Sequence, residues 1–134
     1  MLKTLALIKP DAVKKNLIGK ILAEAEEAGL KINTMRMVTL TKEEAGEFYS
    51  VHKGKPFYEP LTEFISEGPI VVAVLEGHDC IEVWRGIMGA TDPEEAAKGT
   101  IRNLYGESVS RNAVHGSDSP ESAASEISFF ANIL

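Results

Sequence analysis

The feature that most limits how this chain can fold is an uninterrupted apolar run from Ile70 to Leu75. A strand with one face in water alternates apolar and polar residues, whereas a strand covered on both faces has no polar position. The run therefore predicts a central strand of a sheet with both faces covered. With 134 residues, of which 44% are hydrophobic and 25% charged, the chain is long enough to bury such a core in one domain spanning residues 1–134.

Shorter strands and amphipathic helices are predicted on either side of this strand. Strands are predicted at 4–8, 31–40 and 112–115, and a shift of apolar parity within 31–40 indicates a bulge or two covered faces. Apolar residues at helical spacing predict helices at 17–29, 41–52, 57–68 and 81–88, with a last helix opening at Ser119-Pro120. This order predicts a ferredoxin-like α/β sandwich, a four-stranded antiparallel sheet with helices packed on one face. The segment 89–110 is predicted to be irregular, and its length makes it a candidate site.

Composition argues against several classes of protein. The formal net charge of −6 disfavours a nucleic-acid-binding surface, which is usually basic. The single cysteine, Cys80, rules out an intramolecular disulfide and suits a reducing compartment. A zinc site on Cys80, His78 and a remote histidine has no C-x-x-C pair to support it. The apolar start is interrupted by Lys9-Pro10-Asp11, and no apolar run approaches the ~20 residues that cross a bilayer. A cytoplasmic location is therefore predicted.

The segment from Asn112 to Asp118 is the strongest candidate for chemistry. It holds His115 beside a glycine and small polar residues, immediately before the predicted helix at Ser119. A helix N-terminus has unpaired N–H groups and a positive dipole end, so it favours an anion such as phosphate. The same composition is also typical of an ordinary turn, so the motif alone leaves both interpretations open.

An imidazole at this place can act as a nucleophile without a separate base. A neutral imidazole has one ring nitrogen with a free lone pair and can attack a terminal phosphate to form a phosphohistidine. Glu126 lies seven residues after Ser119 and so on the same helix face, where it could orient the ring. Cationic side chains that could stabilise phosphate charge are scattered along the chain, at Lys9, Arg85 and Arg102. The signatures of P-loop enzymes, dinucleotide-binding folds and protein kinases are absent from the sequence.

Along essentially its whole length the chain resembles the nucleoside diphosphate kinases. The family signature Asn-x-x-His-[Gly/Ala]-Ser-Asp, followed by a small residue, is met in full from Asn112 to Ser119. Three further segments look like the family's own and occur in the expected order: Lys9-Pro10-Asp11, Arg85 to Pro93, and Gly99 to Arg102.

The resemblance implies transfer of the γ-phosphate of a nucleoside triphosphate, typically ATP, to a nucleoside diphosphate by a ping-pong mechanism. It implies His115 as nucleophile, oriented by Glu126, supported by Ser117 and packed beside Tyr49. Lys9 and Asn112 would bind ribose hydroxyls and nearby phosphate oxygens. The phosphates would be held by His52, Arg85, Thr91 and Arg102. The base would stack between Phe57 and Val109 with Leu61 nearby, which predicts broad base specificity because every base offers a π-face.

The resemblance also implies a cofactor and an assembly. Mg²⁺ would be held mainly by nucleotide phosphates, with no direct protein ligand and with Asp118 at most bound through water. The protein would be a homo-oligomer, either tetramer or hexamer, with no requirement for a membrane or nucleic acid. Two alternatives stand beside the kinase. One is a catalytically silent nucleotide-binding or interaction module on the same fold. The other is a single-strand nucleic-acid binder, which the aliphatic predicted strands disfavour.

Overall fold

The computed structural model describes residues 2–133 and contains one four-stranded sheet. Its strands are β1 (Lys3–Ile8), β2 (Lys31–Val38), β3 (Ile70–Glu76) and β4 (Val114–Gly116). They lie in the order β2-β3-β1-β4, and every neighbouring pair is antiparallel. The predicted four-stranded antiparallel sheet with helices packed on it is confirmed.

Both faces of the sheet are covered, so the expectation that the helices lie on one face is wrong. Ala6 and Ile8 of β1 point into one apolar core, while Leu5 and Leu7 point into a second core on the opposite face. The same alternation continues in β3, whose first six residues are all buried. The uninterrupted apolar run of β3 is therefore explained, because each fully buried Val, Leu or Ile contributes about 1.5–3 kcal/mol whichever face it occupies.

Seven helices surround the sheet in the described residues. The first core packs against helices α1 (Pro10–Lys14), α2 (Ile18–Glu27) and α5 (Cys80–Met88). The second packs against α3 (Lys42–Phe48) and α4 (Tyr58–Ile65). The last helix, α7 (Pro120–Ile133), places Ala123 in the first core and Phe130 in the second. In this part of the chain no helix is both long enough and apolar enough to cross a membrane.

Local signals at several helix starts act as predicted. Thr41 and Glu44 form a capping box, in which each side chain bonds the other residue's backbone N–H. Ser119 accepts a hydrogen bond from the Ser122 N–H at 3.1 Å, and Pro120 is the first residue of α7. The helix predicted to run from Thr41 through His52 is shorter: α3 ends at Phe48, and a separate 3₁₀ turn covers Ser50–His52.

Two short helices were not predicted. Helix α1 begins at Pro10. The apolar pattern indicates only that the preceding strand ends before this proline, but proline is equally suited to the first position of a helix. Helix α6 (Ile101–Tyr105) lies within the segment 89–110 that was predicted to be irregular. The Thr100 side chain caps α6 by accepting from the Asn103 N–H. Five residues are too few for a helix to be stable in isolation, so α6 depends on its packing.

Strand β2 stands at the end of the sheet and is mostly exposed. Its register against β3 shifts between Ile32 and Thr34, which confirms the bulge and excludes the alternative of two covered faces. Met35 and Met37 are 57% and 55% exposed. Within the described residues no strand pairs with its outer edge.

Candidate functional site

A cleft of about 860 Å³ opens between the α3–α4 hairpin, helix α5, the segment 89–112 and strand β4. It collects nearly all of the site residues that the sequence predicts. Those that line it are Lys9, Tyr49, His52, Phe57, Leu61, Arg85, Thr91, Arg102, Val109, Asn112, His115, Asp118 and Glu126. Ser117 is fully buried behind the wall of the cleft.

His115 and Glu126 form the centre of the site. The His115 Nε2 lies 3.1 Å from the Glu126 Oε1, and both side chains are about four-fifths buried. Because a carboxylate only accepts, this pairing places the ring proton on Nε2 and leaves the Nδ1 lone pair free. The Ser117 hydroxyl donates to the same Glu126 oxygen at 2.7 Å. Ser117 is itself fixed to β1, since its Oγ accepts from the Leu5 N–H at 3.3 Å.

Backbone contacts determine where the imidazole lies. His115 pairs with Leu7 in the β1–β4 ladder. The indole Nε1 of Trp84 in α5 donates to the His115 carbonyl at 3.2 Å. Phe48 at the end of α3 meets the imidazole edge to face, with ring centroids 5.5 Å apart. Strand, helix and aromatic neighbour together hold the ring at the cleft wall.

The chain enters β4 through a strained turn. Ala113 has a φ of +73°, which is uncommon for a residue with a side chain, and it is fully buried. The Val114 N–H donates to the Asn112 carbonyl at 2.9 Å, which closes a three-residue turn around Ala113. A left-handed conformation at such a residue costs roughly 1–2 kcal/mol. Surrounding contacts must therefore hold it.

Lys9 and Asn112 meet at the floor of the cleft. The Lys9 ammonium donates to the Asn112 Oδ1 at 2.8 Å, and both residues are buried. The Asn112 amide donates to the Thr91 and Val109 carbonyls at 3.0 and 2.8 Å. Burial, reinforced by the nearby Arg102 and opposed by Asp11, lowers the pKa of Lys9 from 10.5 to about 8. The amide network therefore ties the lysine to the segment 89–112.

Arg102 lies between the segment 89–112 and β4. Its two terminal guanidinium nitrogens donate to the Gly89 carbonyl at 3.1 Å and to the Val114 carbonyl at 2.8 Å. Its Nε is buried with no hydrogen-bond partner in the described structure. Burial and the neighbouring Arg85 lower the pKa of Arg102 to about 10, so it is charged at neutral pH. Lys9, Arg85 and Arg102 make this side of the cleft positive although the chain is acidic.

Aromatic side chains line the opposite side of the cleft. The Phe57 and His52 rings lie edge to face with centroids 5.1 Å apart, and Phe57 is 48% exposed. The His52 Nδ1 is buried and has no hydrogen-bond partner within residues 2–133. Burial, together with the charge of Glu126, raises the pKa of Tyr49 well above its usual value, so the hydroxyl stays neutral. An exposed ring beside unpartnered polar atoms suits a flat, partly polar ligand.

Carboxylates in the cleft do not form a metal cage. Over residues 2–133, no group of three or more His, Cys, Asp or Glu side chains could hold a metal ion. Asp118 is exposed at the cleft and accepts a short hydrogen bond from the Ser122 hydroxyl, which lowers the pKa of Asp118. It therefore remains an anion that water can bridge to a cation.

Four residues that contribute to this geometry were not singled out from the sequence: Asp11, Phe48, Trp84 and Ser122. Asp11 and Trp84 bond the backbone around His115 across long sequence separations, which no local pattern reports. Ser122 lies one helical turn after Asp118, a spacing that would have identified it.

Comparison with known sequences gives a consistent result. A family model described as nucleoside diphosphate kinase matches residues 2–132. A nucleoside diphosphate kinase of Persephonella marina is 59% identical over 132 residues, which cover 98% of this chain and 94% of that protein. Nucleoside diphosphate kinase 1 of Protochlamydia amoebophila is 56% identical over 128 residues, covering 96% of this chain and 91% of that protein.

Solved structures agree. A crystal form of the Aquifex aeolicus nucleoside diphosphate kinase superposes with a TM-score of 0.94 at 48% identity, covering 96% of this chain and 94% of that one. A halophilic nucleoside diphosphate kinase from Halobacterium salinarum, solved in complex with CDP, gives a TM-score of 0.92 at 40% identity, covering 96% and 86%.

Proposed function

This chain belongs to the nucleoside diphosphate kinase family and transfers phosphate between nucleotides, and from this premise we propose that His115 carries the phosphate. The observation that supports this role is the pairing of the His115 Nε2 with Glu126 at the cleft wall, which leaves Nδ1 as the nucleophile. The silent nucleotide-binding module is not favoured, because the relatives are named as kinases and the histidine, lysine and arginine set is intact.

In the first half-reaction, Nδ1 attacks the γ-phosphorus of the nucleoside triphosphate. A nitrogen–phosphorus bond forms, the bond from the γ-phosphorus to the β–γ bridging oxygen breaks, and the nucleoside diphosphate leaves with that electron pair. The Nε2 proton stays on the ring, and the Glu126 carboxylate stabilises the positive charge that develops there. In the second half-reaction, a terminal phosphate oxygen of another nucleoside diphosphate attacks the phosphorus of the phosphohistidine. An oxygen–phosphorus bond forms, the nitrogen–phosphorus bond breaks, and its electron pair returns to Nδ1, which restores neutral His115.

Cationic groups on one side of the cleft stabilise the transferred phosphoryl group. Lys9, Arg85 and Arg102 would face its oxygens, assisted by His52 and Thr91. Loss of one such preorganised donor typically lowers turnover by roughly a hundredfold to a thousandfold. Asn112 orients the Lys9 ammonium and, with it, would contact the ribose. Ser117 holds Glu126 by its hydrogen bond, and the buried Tyr49, which lines the cleft, would pack beside the pair.

Base recognition would depend on shape and stacking. Phe57 and Val109 are both about half exposed at the cleft, and Leu61 lines it beside them. An aromatic face opposed by an apolar side chain accepts any base, since stacking needs only a π-face. We expect the purine and pyrimidine nucleotides to be used with similar efficiency.

A divalent metal is expected for a nucleotide-using kinase of this family, and Mg²⁺ is the ion we propose. It would neutralise phosphate charge while being held by the phosphate oxygens and water, the ligands that Mg²⁺ prefers. The exposed carboxylate of Asp118, whose pKa is lowered by the Ser122 hydroxyl, suits a contact through water.

A homo-oligomer is the assembly that the β2 edge supports. An exposed, unpaired strand edge with apolar side chains is a ready template for a second copy of the same strand. Met35 and Met37 would be covered in such a pair. Tetramer and hexamer can both be built from dimers of this type. The cytoplasmic location and the lack of a nucleic-acid requirement stay predictions.

Mass spectrometry of the intact protein tests the catalytic assignment. We expect ATP and Mg²⁺ to add one acid-labile phosphoryl group, which a different nucleoside diphosphate then removes. His115→Asn should abolish labelling while retaining ADP binding, because the cationic side of the cleft is unchanged. His78→Asn is the matched control, since His78 is almost fully exposed outside the cleft. Labelling that persists in His115→Asn would refute the assignment.

A further inference from the structure

Asp11 is a buried carboxylate that has no role in the proposed mechanism. It is the second residue of α1 and is only 5% exposed. Its Oδ2 accepts a hydrogen bond from the Ala113 N–H at 3.0 Å, across 102 residues of sequence. Its Oδ1 is buried without a hydrogen-bond partner among the described residues. Burial of a carboxylate with only one of its oxygens hydrogen-bonded costs folding free energy, so this residue calls for an explanation.

The hydrogen bond to Ala113 holds the strained turn that leads into β4. Both backbone polar groups of Ala113 are hydrogen-bonded. The Ala113 N–H donates to the Asp11 carboxylate, and the Ala113 carbonyl accepts from the Lys9 N–H at 2.8 Å. Without the carboxylate, the Ala113 N–H would be buried and unpaired, and the residue could relax from its φ of +73° to an ordinary value.

The direction of the His115 side chain depends on this turn. Ala113 lies two residues before His115, and β4 has only three residues to define its register against β1. Side chains in a strand alternate between faces, so a change of dihedral angle at Ala113 would rotate the imidazole relative to Glu126. The same change would displace Asn112, which holds the Lys9 ammonium.

We propose that Asp11 is a positioning residue of the phosphotransfer site, whose carboxylate holds the Ala113 turn and thereby aims His115 at the γ-phosphate. This inference rests on the proposed function, because it concerns the histidine that the mechanism uses. Asp11 touches neither substrate nor the reacting atoms and acts through Ala113.

The charge of Asp11 has a second effect, on Lys9. Burial and Arg102 lower the pKa of Lys9, whereas the Asp11 carboxylate raises it. The Asn112 side chain that contacts the ammonium is neutral. Removal of the Asp11 charge alone should therefore lower the pH at which Lys9 loses its proton, and the alkaline limit of phosphorylation should fall with it.

The test measures the rate of phosphohistidine formation at saturating ATP and Mg²⁺, by rapid quench, as a function of pH. Asp11→Ala removes both the acceptor and the charge, whereas Asp11→Asn retains an oxygen acceptor and removes only the charge. Asp11→Ala combined with Ala113→Gly replaces the strained alanine by a residue that adopts positive φ freely. Asp79→Asn, at an exposed aspartate outside the main cleft, is the matched control. Circular dichroism establishes that each variant is folded at the assay temperature.

We expect Asp11→Ala to lower the plateau rate at least tenfold and Ala113→Gly to restore most of that loss in the double variant. Asp11→Asn should stay within about threefold of wild type on its plateau, with its alkaline limb displaced to lower pH. Asp79→Asn should be unchanged. If Asp11→Ala does not fold, the plateau rate of the double variant and the alkaline limb of Asp11→Asn, each compared with wild type, test the inference.

Three outcomes would overturn the inference, each for a different reason. A folded Asp11→Ala that is phosphorylated at the wild-type rate would show that the turn does not aim His115, while the proposed function stands. Wild type that is not phosphorylated at all would refute the proposed function, and this inference with it. In the third outcome, Asp11→Ala lowers the plateau rate, Ala113→Gly does not restore it, and the alkaline limb of Asp11→Asn is not displaced. Asp11 would then only contribute to packing.

Discussion

Lys9 brings a cationic side chain into a place where only 5% of the residue meets solvent. Its folded-state pKa of about 8 lies below the unfolded value of 10.5, so the unfolded chain binds the extra proton between these values. Stability from this group therefore rises as pH increases from about 8 to 10.5. Below pH 8 the fold bears the full penalty of about 3 kcal/mol for burying the charge. Under the proposed function, anionic phosphates in the cleft would offset this penalty.

Proton uptake on nucleotide binding follows from this residue. The proposed function places phosphate oxygens beside Lys9, where they would favour its charged form. Binding of ADP at pH 8.5, where Lys9 of the unliganded protein is largely neutral, should therefore be accompanied by uptake of part of a proton by the protein. Calorimetric titrations in two buffers of different ionisation enthalpy measure this uptake. Affinity should fall as pH rises above about 8, and Lys9→Gln should remove both effects. Binding heats that do not depend on the buffer in wild type would contradict the prediction.

Helix α5 and strand β4 pack against each other through a large residue, Trp84, and a small one, Gly116. Trp84 is 1% exposed, and its indole donates to the His115 carbonyl. A Cβ at Gly116 would lie 2.5 Å from the Trp84 Cδ1 and 2.8 Å from the Met88 Cε. The restriction to glycine at this position therefore comes from the side chains of Trp84 and Met88. Close packing of α5 thus sets the backbone position of the segment around His115.

Gly116→Ala should therefore destabilise the protein by about 1–3 kcal/mol, because the core around Trp84 is already filled. The combination with Trp84→His, which retains a ring N–H donor in a smaller side chain, should recover part of that loss. Urea unfolding of the two single variants and the double variant gives the coupling between the positions. Gly86→Ala serves as the control, because nothing lies within 4 Å of its added Cβ and it should be neutral or stabilising. Additive effects at 84 and 116 would exclude the steric explanation.

Considered as a whole, the molecule has two very different sheet edges. On the β4 side, the three-residue strand adjoins the cleft, and elements from both ends of the chain meet there. On the other side, β2 leaves an eight-residue edge unpaired in the described structure, with exposed methionines. The cleft and the proposed β2 interface can therefore be altered separately.

Met35→Glu should weaken self-association, because pairing of two copies along β2 would bring the introduced carboxylates close to each other, and like charges on an edge strand oppose pairing. Light scattering coupled to size exclusion, over a range of protein concentrations, should show a smaller mass than wild type. Val51→Glu introduces the same charge at a position that is 80% exposed outside the sheet, and the mass should not change. An unchanged mass for Met35→Glu, or a monomeric wild type, would remove β2 as the interface.

Features read correctly from the sequence are those that a few neighbouring residues determine. The apolar run of β3 specified a doubly covered strand, the Thr41–Glu44 box specified a helix start, and Ser119-Pro120 specified another. The motif around His115 identified the family, because its residue types and spacing are rare in combination. Helix α6 escaped prediction because five residues have little intrinsic helical preference, and contacts from Thr100 and Arg102 stabilise the helix.

By itself, then, the sequence determined the family and the order of the four strands and the longer helices, and it supplied the candidate residues for phosphate binding. Tertiary structure decided that helices cover both faces of the sheet, that Asp11 reaches the turn before His115, and that Trp84 restricts Gly116. Local patterns record propensity and amphipathicity over a few residues. A hydrogen bond across 102 residues, or a steric limit between a helix and a strand, leaves no such pattern because it exists only once the chain has closed its core.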